Sequence, residues 1–493
     1  MRDLLREPLW QAEDLGRAIP DDPHGVSVCL PRWLDCVGYE EGDPTVLGRL
    51  QSGYPRFVFH PVVRRLFERV DGRSGGPGWR CQVMASRRSA LRCAAYLRAA
   101  GVLGVDLVVV SEAHGAWAVR FPEAAAHLAK QYWQHTGEGI TSRCAAAVLA
   151  EQRPPTGAGV EEMAVMRARL AGWYRVPVEN VLCYANGMAA IAAVNRLISH
   201  SRPGCRSLQV GFPYVDLLKV QERCGSGAEL LAIAGDDLNP VSLALQREEW
   251  SACVIETPGN PLLGCVDVPQ LSDLLRQASV PLVVDDTLAG PLNVDLAPYA
   301  DVIVTSLTKY ITGSGTVMGG AAIINPASPQ ADRWRRQLTG DHETEAIWWQ
   351  DLLLLEAQSR DYPQRLRQIN QTAAALVERL RQHPAIARVR YPDADCRQAY
   401  DRIRRPDGGY GGLLSLELHQ AETRAPAFYD ALQVSKGPSL GTDYTLACPF
   451  TILAHYHELD WAEAHGVSRY LVRVSVGLED LDDLWQRFSA ALP

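Results

Sequence analysis

The chain has 493 residues, of which 47% are hydrophobic and 22% charged, and a formal net charge of −8. That length implies two or three domains rather than one core. The acidic balance argues against a nucleic-acid partner, which would select a basic excess or stripe.

The opening MRDLLREPLW has no apolar run of signal-peptide length. The apolar stretch from Ala90 to Val110 is interrupted by Arg92, Arg98 and Asp106, so no membrane span is expected. Residues 1–62 are broken up by Pro20, Pro23, Pro31, Pro44, Pro55 and Pro61, yet carry Trp33, Tyr39, Tyr54, Phe57 and Phe59. An apolar, proline-rich arm of this kind lies against something, and a neighbouring subunit is the expected partner. Residues 63–154 read as an inserted small α/β segment: strand GWRCQVMAS, helix SRRSALRCAAYLRAAG, strands VDLVVVS and AWAVRFP, helix PEAAAHLAKQYW. From 155 to 328 short apolar runs (NVLCYANG, SLQVGF, ELLAIA, ACVIET, PLVVDD, ADVIVTS, GGAAIIN) alternate with helices. This predicts a mostly parallel sheet buried on both faces, with its site at the carboxyl ends of the strands. Residues 329–493 form a smaller C-terminal α/β domain, with a long helical pattern from Glu345 to Gln382 that Pro363 breaks or kinks, then strands GLLSLEL and LVRVSVG.

Chemistry concentrates in VVDDTLAGPLNVDLAPYADVIVTSLTKYITGSGTVMGG. One strand ends in Asp285-Asp286-Thr287 and the next in Ser306-Leu307-Thr308-Lys309, so a carboxylate and a lysine leave neighbouring strand ends. Pyridoxal phosphate needs this pairing: an amine for its aldehyde, and a carboxylate that keeps the pyridine nitrogen protonated. Lysine is scarce, with Lys130, Lys219, Lys309 and Lys436 the only four. The twelve cysteines are scattered without a C-x-x-C pair, and His455-Tyr-His457-Glu458 lacks a completing ligand. The expectation is reduced thiols in a cytoplasmic protein and no metal, with His455 near the substrate at most.

The Asp-x-Thr and Ser-x-Thr-Lys pattern resembles the Cys/Met-metabolism pyridoxal-phosphate enzymes, and the likeness runs over nearly the whole chain. It is nearest to the fungal-type cystathionine γ-synthase branch through GYEEGD, GYPRFVFHP, WQHTGEGITSR, RRPDGGYGGLLS, SKGPSLGT and LAHYHELDW. The resemblance implies a fold-type I, aspartate-aminotransferase-like α/β architecture and pyridoxal 5'-phosphate as cofactor. It places Lys309 as the cofactor lysine and base, and Asp285 on the ring nitrogen. Gly187 and Met188 of YANGMAAI, with Ser306 and Thr308, would hold the phosphate. Tyr214 would stack on the ring and assist proton transfer, and Asn260 would lie near the phenolic oxygen. Arg473 would take the substrate α-carboxylate beside Ser439. Tyr54-Pro-Arg56 matches an intersubunit Tyr-x-Arg that binds a neighbour's phosphate, which implies a homo-oligomer, dimer or tetramer, with shared active sites.

The implied activity is γ-replacement or γ-elimination on a γ-activated amino acid such as an O-acyl-homoserine, with a nucleophilic co-substrate. Asp286 stands where relatives carry Asn or Glu, and Gly313-Ser-Gly-Thr replaces a more polar run. Both positions are expected near the reacting γ-carbon. This keeps open a specialised enzyme that forms C–C bonds or a ring at Cγ, with S-adenosylmethionine as donor and a carbon acceptor such as a nicotinamide nucleotide. A non-catalytic regulatory relative is the third reading, and the intact Lys309, Asp285 and Arg473 argue against it.

Overall fold

A computed structural model describes residues 2–52, 58–342, 347–394 and 396–493. Tyr54, Arg56 and Glu345 lie outside the described residues.

A seven-stranded sheet carries the middle of the chain. Its strands are β1 (Val181–Tyr184), β2 (Ser207–Val210), β3 (Ala228–Leu231), β4 (Cys253–Glu256), β5 (Leu282–Asp285), β6 (Val302–Ser306) and β7 (Gly320–Ile324), in the order β1-β7-β6-β5-β4-β2-β3. Neighbours are parallel except for β7, which runs antiparallel to both β1 and β6. Side chains alternate between the faces of a strand. Leu282 and Val284 of β5 enter one core with Leu170, Tyr174 and Leu271. Val283 enters the other, with Ala190, Leu197 and Trp334. Each such buried aliphatic side chain contributes roughly 1.5–3 kcal/mol over exposure, so this parity sets which way the residues after β5 point.

The predicted long helix is two, Trp349–Gln358 and Tyr362–Arg381, with Pro363 in the first turn of the second, where its missing N–H costs nothing. Behind them a second sheet has the order Ile386–Arg390, Leu413–Leu418, Val472–Ser475, Leu446–Pro449, Ser435–Lys436. The first 52 residues pack on this sheet of the same chain. A nine-residue helix, Trp33–Glu41, fits between Pro31 and Pro44. Leu30, Trp33, Cys36 and Tyr39 share a core with Leu416, Tyr429 and Val474. Lys436 fastens this contact. Its buried ammonium donates to the carbonyls of Pro31 (3.0 Å), Asp430 (3.0 Å) and Tyr429, and sits 4.7 Å from the Tyr429 ring centroid.

The inserted segment is a three-stranded antiparallel sheet, Trp79–Met84, Ala116–Pro122 and Asp106–Ser111, with helices Arg87–Ala99 and Ala126–Thr136. Charge ties it to the large sheet's helices. Buried Glu138 meets Arg92 at 2.9 Å and Arg196 at 2.6 Å, and Arg143 meets Asp351 at 2.9 Å. Removing one partner of such a buried set costs about 3–5 kcal/mol. Among the described residues no helix is long and apolar enough to cross a membrane.

Candidate active site

One cavity collects Gly187, Met188, Tyr214, Glu256, Asn260, Asp285, Ser306, Thr308, Lys309, Ser439 and Arg473, and encloses about 180 Å³. Nearly all follow strand ends of the large sheet, as a parallel sheet requires.

β1 turns through Asn186 into a fifteen-residue helix, Gly187–Ser201. The Asn186 side chain accepts from the Ala189 amide (2.9 Å) and donates to the Gly137 carbonyl (2.8 Å). The Gly187 and Met188 amides keep no acceptor among the described residues, as expected of a first helical turn. Only glycine fits at 187: a Cβ there would lie 2.9 Å from the Ser306 Cβ. Ser306 is aligned by its own amide, which donates to Thr287 Oγ1 at 2.9 Å. The Thr308 hydroxyl is engaged with the main chain, accepting from Gly319 N (3.0 Å) and donating to Gly319 O (3.2 Å).

Asp285 ends β5 on the face shared with the Gly187 helix. Its carboxylate accepts from the Thr287 amide at 3.0 Å, and burial pushes its pKa up to about 6 against the opposing Thr287 bonds. Glu256 ends β4 directly beside it in register. Burial, and then the Asp285 charge, push the Glu256 carboxyl well above the ordinary range, although the amides of Tyr214 (2.7 Å) and Asn260 (3.0 Å) donate to it. The pair therefore carries one negative charge, which we place on Asp285. Glu256 was not singled out from the sequence, although it closes an apolar run just as Asp285 does.

Lys309 Nζ donates to Ser439 Oγ at 3.1 Å. Gly441, at φ +69°, lets that loop approach: a Cβ there would fall 2.9 Å from the Lys309 Cβ. Arg473 is buried, and its hydrogen bonds go to neutral oxygens: Asn260 Oδ1 (3.3 Å), Pro438 O (2.7 Å) and Ser439 O (3.1 Å). Tyr214 lines the cavity with its hydroxyl 3.3 Å from Asp216 Oδ2, and His135 of the inserted segment holds the other oxygen at 3.1 Å. Asp216 and His135 were also missed; they are adjacent to the site only because the inserted segment docks there.

Two expectations are corrected. Asp286 lies on the opposite face of β5 from Asp285, where Tyr174 Oη donates to both carboxylate oxygens at 2.9 and 3.0 Å; burial raises it to about 7. Ser314 bonds Thr316 and Gln358. Neither lines the cavity, so neither position bears directly on a γ-carbon. His455 is likewise off the cavity, packed against Phe212, Phe450 and Trp461 and bonded to Glu458 at 2.9 Å.

Residues 164–493 match the family described as Cys/Met metabolism PLP-dependent enzyme, and residues 62–141 match the fungal trans-sulfuration enzyme N-terminal domain. This chain belongs to the Cys/Met metabolism PLP-dependent enzyme family. It is 30% identical to a cystathionine gamma-synthase of Neurospora crassa, over 97% of this chain and 98% of that one. It is 35% identical to an L-2-amino-4-chloropent-4-enoate dechlorinase/desaturase of Streptantibioticus cattleyicolor, over 94% and 95%. Among solved structures it is similar to the cystathionine gamma lyase of Micromonospora echinospora, with a TM-score of 0.58 and 27% identity over 66% of this chain and 84% of that chain. The cystathionine gamma synthase of Xanthomonas oryzae pv. oryzae shares the fold, with a TM-score of 0.59 at 23% identity, over 69% and 87%. The protein is thus a fold-type I enzyme that uses pyridoxal phosphate. The cavity fits that cofactor: a buried carboxylate for a protonated ring nitrogen, one lysine amine, and two free helical amides beside Ser306 for a phosphate.

Proposed function

We propose that the protein catalyses γ-replacement, with γ-elimination as the side reaction, on a γ-activated amino acid such as an O-acyl-homoserine. The observation that carries this reading is Arg473. It is a buried guanidinium with only neutral hydrogen-bond partners, in one cavity with the Lys309 amine and a carboxylate at the sheet edge. An unpaired buried cation calls for an anion, and a planar guanidinium takes a carboxylate through two parallel bonds.

Bound pyridoxal phosphate supplies an electron sink for bonds to the α-carbon. Asp285 would hold a proton on its ring nitrogen, Tyr214 would flank the ring, and Asn260 would stand near the phenolic oxygen. Gly187, Met188, Ser306 and Thr308 would hold the phosphate, with Tyr54 and Arg56 of a neighbouring subunit completing that contact in a homo-oligomer. Arg473 fixes the α-carboxylate of the amino acid. Lys309, once released by the incoming amine, removes the proton at Cα and moves one at Cβ, which frees the γ-substituent to leave. Ser439, within hydrogen-bond distance of Lys309 Nζ, aims the amine in both transfers. Deposition of charge at Cα and Cβ in turn is what makes substitution at Cγ possible without a group of the protein touching Cγ itself.

The dechlorinase/desaturase relative acts on an amino acid with chlorine at C4, which supports a leaving group broader than acyl esters. The test is a donor screen of the purified enzyme: O-acetylhomoserine, O-succinylhomoserine, O-phosphohomoserine and S-adenosylmethionine, each with and without cysteine, read by mass spectrometry. Loss of the γ-substituent from at least one donor is expected. No γ-cleavage from any of the four would overturn the reading.

A further inference from the structure

All four charged residues of the cavity, Glu256, Asp285, Lys309 and Arg473, come from the sheet and the C-terminal domain. The residues that the first 150 positions contribute are, among the described ones, uncharged. Phe59 lies 4.1 Å from Trp133 between ring centroids at 34°, and 5.0 Å from Phe67 at 67°. This gives one side of the cavity an aromatic floor.

Beside it stand two histidines with complementary roles. His24 and His60 stack at 6.1 Å and 22°. His24 Nδ1 is 3.0 Å from Ser142 Oγ. With that nitrogen donating to the serine, His24 Nε2 carries a lone pair. His60 Nδ1 accepts from the Val62 amide at 3.2 Å, so the neutral ring bears its proton on Nε2. That nitrogen is buried without a hydrogen-bond partner among the described residues. A buried donor left unmet costs about 1–3 kcal/mol, which a ligand oxygen would recover. Both rings are held neutral. Burial lowers His60 to about 4, with His24, Arg64 and Arg65 adding to the shift and the Pro23 carbonyl opposing it. Burial and then Arg143 lower His24 against Asp22.

We propose that this lobe is the subsite for the nucleophilic co-substrate, and that it takes a planar, uncharged carbonyl compound with an adjacent acidic C–H, His60 donating to the carbonyl oxygen and His24 accepting the proton. The inference rests on the γ-replacement reading. An amino-acid thiol such as cysteine would bring an ammonium and a carboxylate to a wall with no charge to meet either, and unpaired charges are expensive to bury. A flat carbonyl compound loses little and gains the aromatic face and the His60 donor. In the step, the C–H proton passes to the bare nitrogen of His24. Its electron pair stays on carbon and forms the new C–C bond at the donor's γ-carbon. The leaving group departs with its own pair, and His24 returns the proton to solvent.

The test uses the holoenzyme and methyl acetoacetate, without any donor. Exchange of the probe's C2 hydrogens in D2O is followed by NMR, and binding by saturation transfer to its methyl ester. Exchange above the buffer rate is expected. His24→Gln should reduce the enzymatic part about a hundredfold, the low end of what a positioned base contributes, while saturation transfer persists. Ser142→Ala, milder for folding, should give a smaller loss in the same direction, and Phe59→Ala should abolish the transfer signal. Retention of the cofactor's visible absorbance checks the fold of each variant. Exchange indifferent to both His24→Gln and Ser142→Ala would overturn the proposal, as would displacement of the probe by an equal concentration of cysteine. Adding O-acetylhomoserine separates the two readings. His24-dependent exchange with no adduct from any donor removes γ-replacement but keeps the subsite. Cystathionine formation with His24-independent exchange does the reverse.

Discussion

Asp285, Glu256 and Lys309 leave three neighbouring strand ends within 54 residues of sequence, whereas His24, Phe59, Trp133 and Ser142 reach the same cavity from three separate stretches of the N-terminal third. The first wall is charged and built on a sheet whose strands are buried on both faces. The second is aromatic and neutral, and hangs on the ion pairs of Glu138 and Arg143. The contrast suggests a division of labour in which the rigid wall performs proton chemistry common to a family and the attached wall selects what reacts. Substitutions can break that division or sharpen it.

The largest effect is expected at the charged wall. Lys309→Ala should lower turnover by at least about 10⁴-fold, the upper range for a positioned proton-transfer group, and abolish the visible band of the bound cofactor, with circular dichroism unchanged. A variant that turns over normally would end the assignment. Asp285→Asn should cost about 10³-fold in kcat, since an amide does not hold the ring-nitrogen proton; a steady-state assay on a productive donor measures it.

Arg56 belongs to neither wall in the described residues, and its expected role is across a subunit boundary. Arg56→Ala should loosen the cofactor about a hundredfold, as loss of a charge-assisted phosphate contact of about 2–3 kcal/mol implies, read by equilibrium dialysis. Val58 to His60 line the cavity of their own chain, which makes the mixing experiment informative. Arg56→Ala and Lys309→Ala subunits together regain activity if the arm serves a neighbour, and stay inactive if it serves its own site.

Smaller effects test the seam between the walls. His135→Asn should leave cofactor absorbance intact and lower kcat about fivefold, because it loosens Asp216 and with it the Tyr214 hydroxyl, a modest share of the about 10²–10⁴ available to proton transfer. A shift in the kcat–pH profile, absent from a merely structural variant, marks the positioning role.

Asp286→Asn should change kcat least, by less than about threefold, since Asp286 faces Tyr174. Its signature is in stability. The carboxyl is raised from 3.8 to about 7, so the native state holds a proton that the unfolded chain releases. Stability is then lost as pH rises through that window and undisturbed below it. Melting temperature should fall from pH 4 to 7 more steeply in the wild type than in Asp286→Asn. A larger kinetic effect than that of Asp285→Asn would mean that the roles of the two aspartates are reversed.

Much of the charged wall was legible because strand ends in a parallel sheet concentrate function, and because Asp-x-Thr and Ser-x-Thr-Lys record that geometry in consecutive residues. Glu256 was legible by the same rule and passed over. The face of Asp286 was decided by the two-residue alternation of β5, which the run VVDD contains, but which core each parity enters emerges only from packing. The neutral wall had no local signature. His24 and Ser142 are 118 residues apart, and GYPRFVFHP and WQHTGEGITSR show nothing by themselves of a shared surface. Pro363 stopped a helix as expected. The Trp33–Glu41 helix was missed because proline density obscured a nine-residue gap.

The seat of Lys436 has a practical consequence for amine-directed labelling. Of the four lysines, Lys130 is exposed, Lys219 is partly covered and paired with Glu222 and Glu458, Lys309 lines the cavity, and Lys436 is locked among main-chain carbonyls. An acetylation footprint of the native protein would therefore report four distinct properties from four peptides. Lys130 calibrates the reagent dose, Lys219 reads the integrity of its ion pairs, and Lys309 reads cofactor occupancy. Lys436 reacts only when the N-terminal arm lets go, which makes it a clock for the detachment of the first 52 residues.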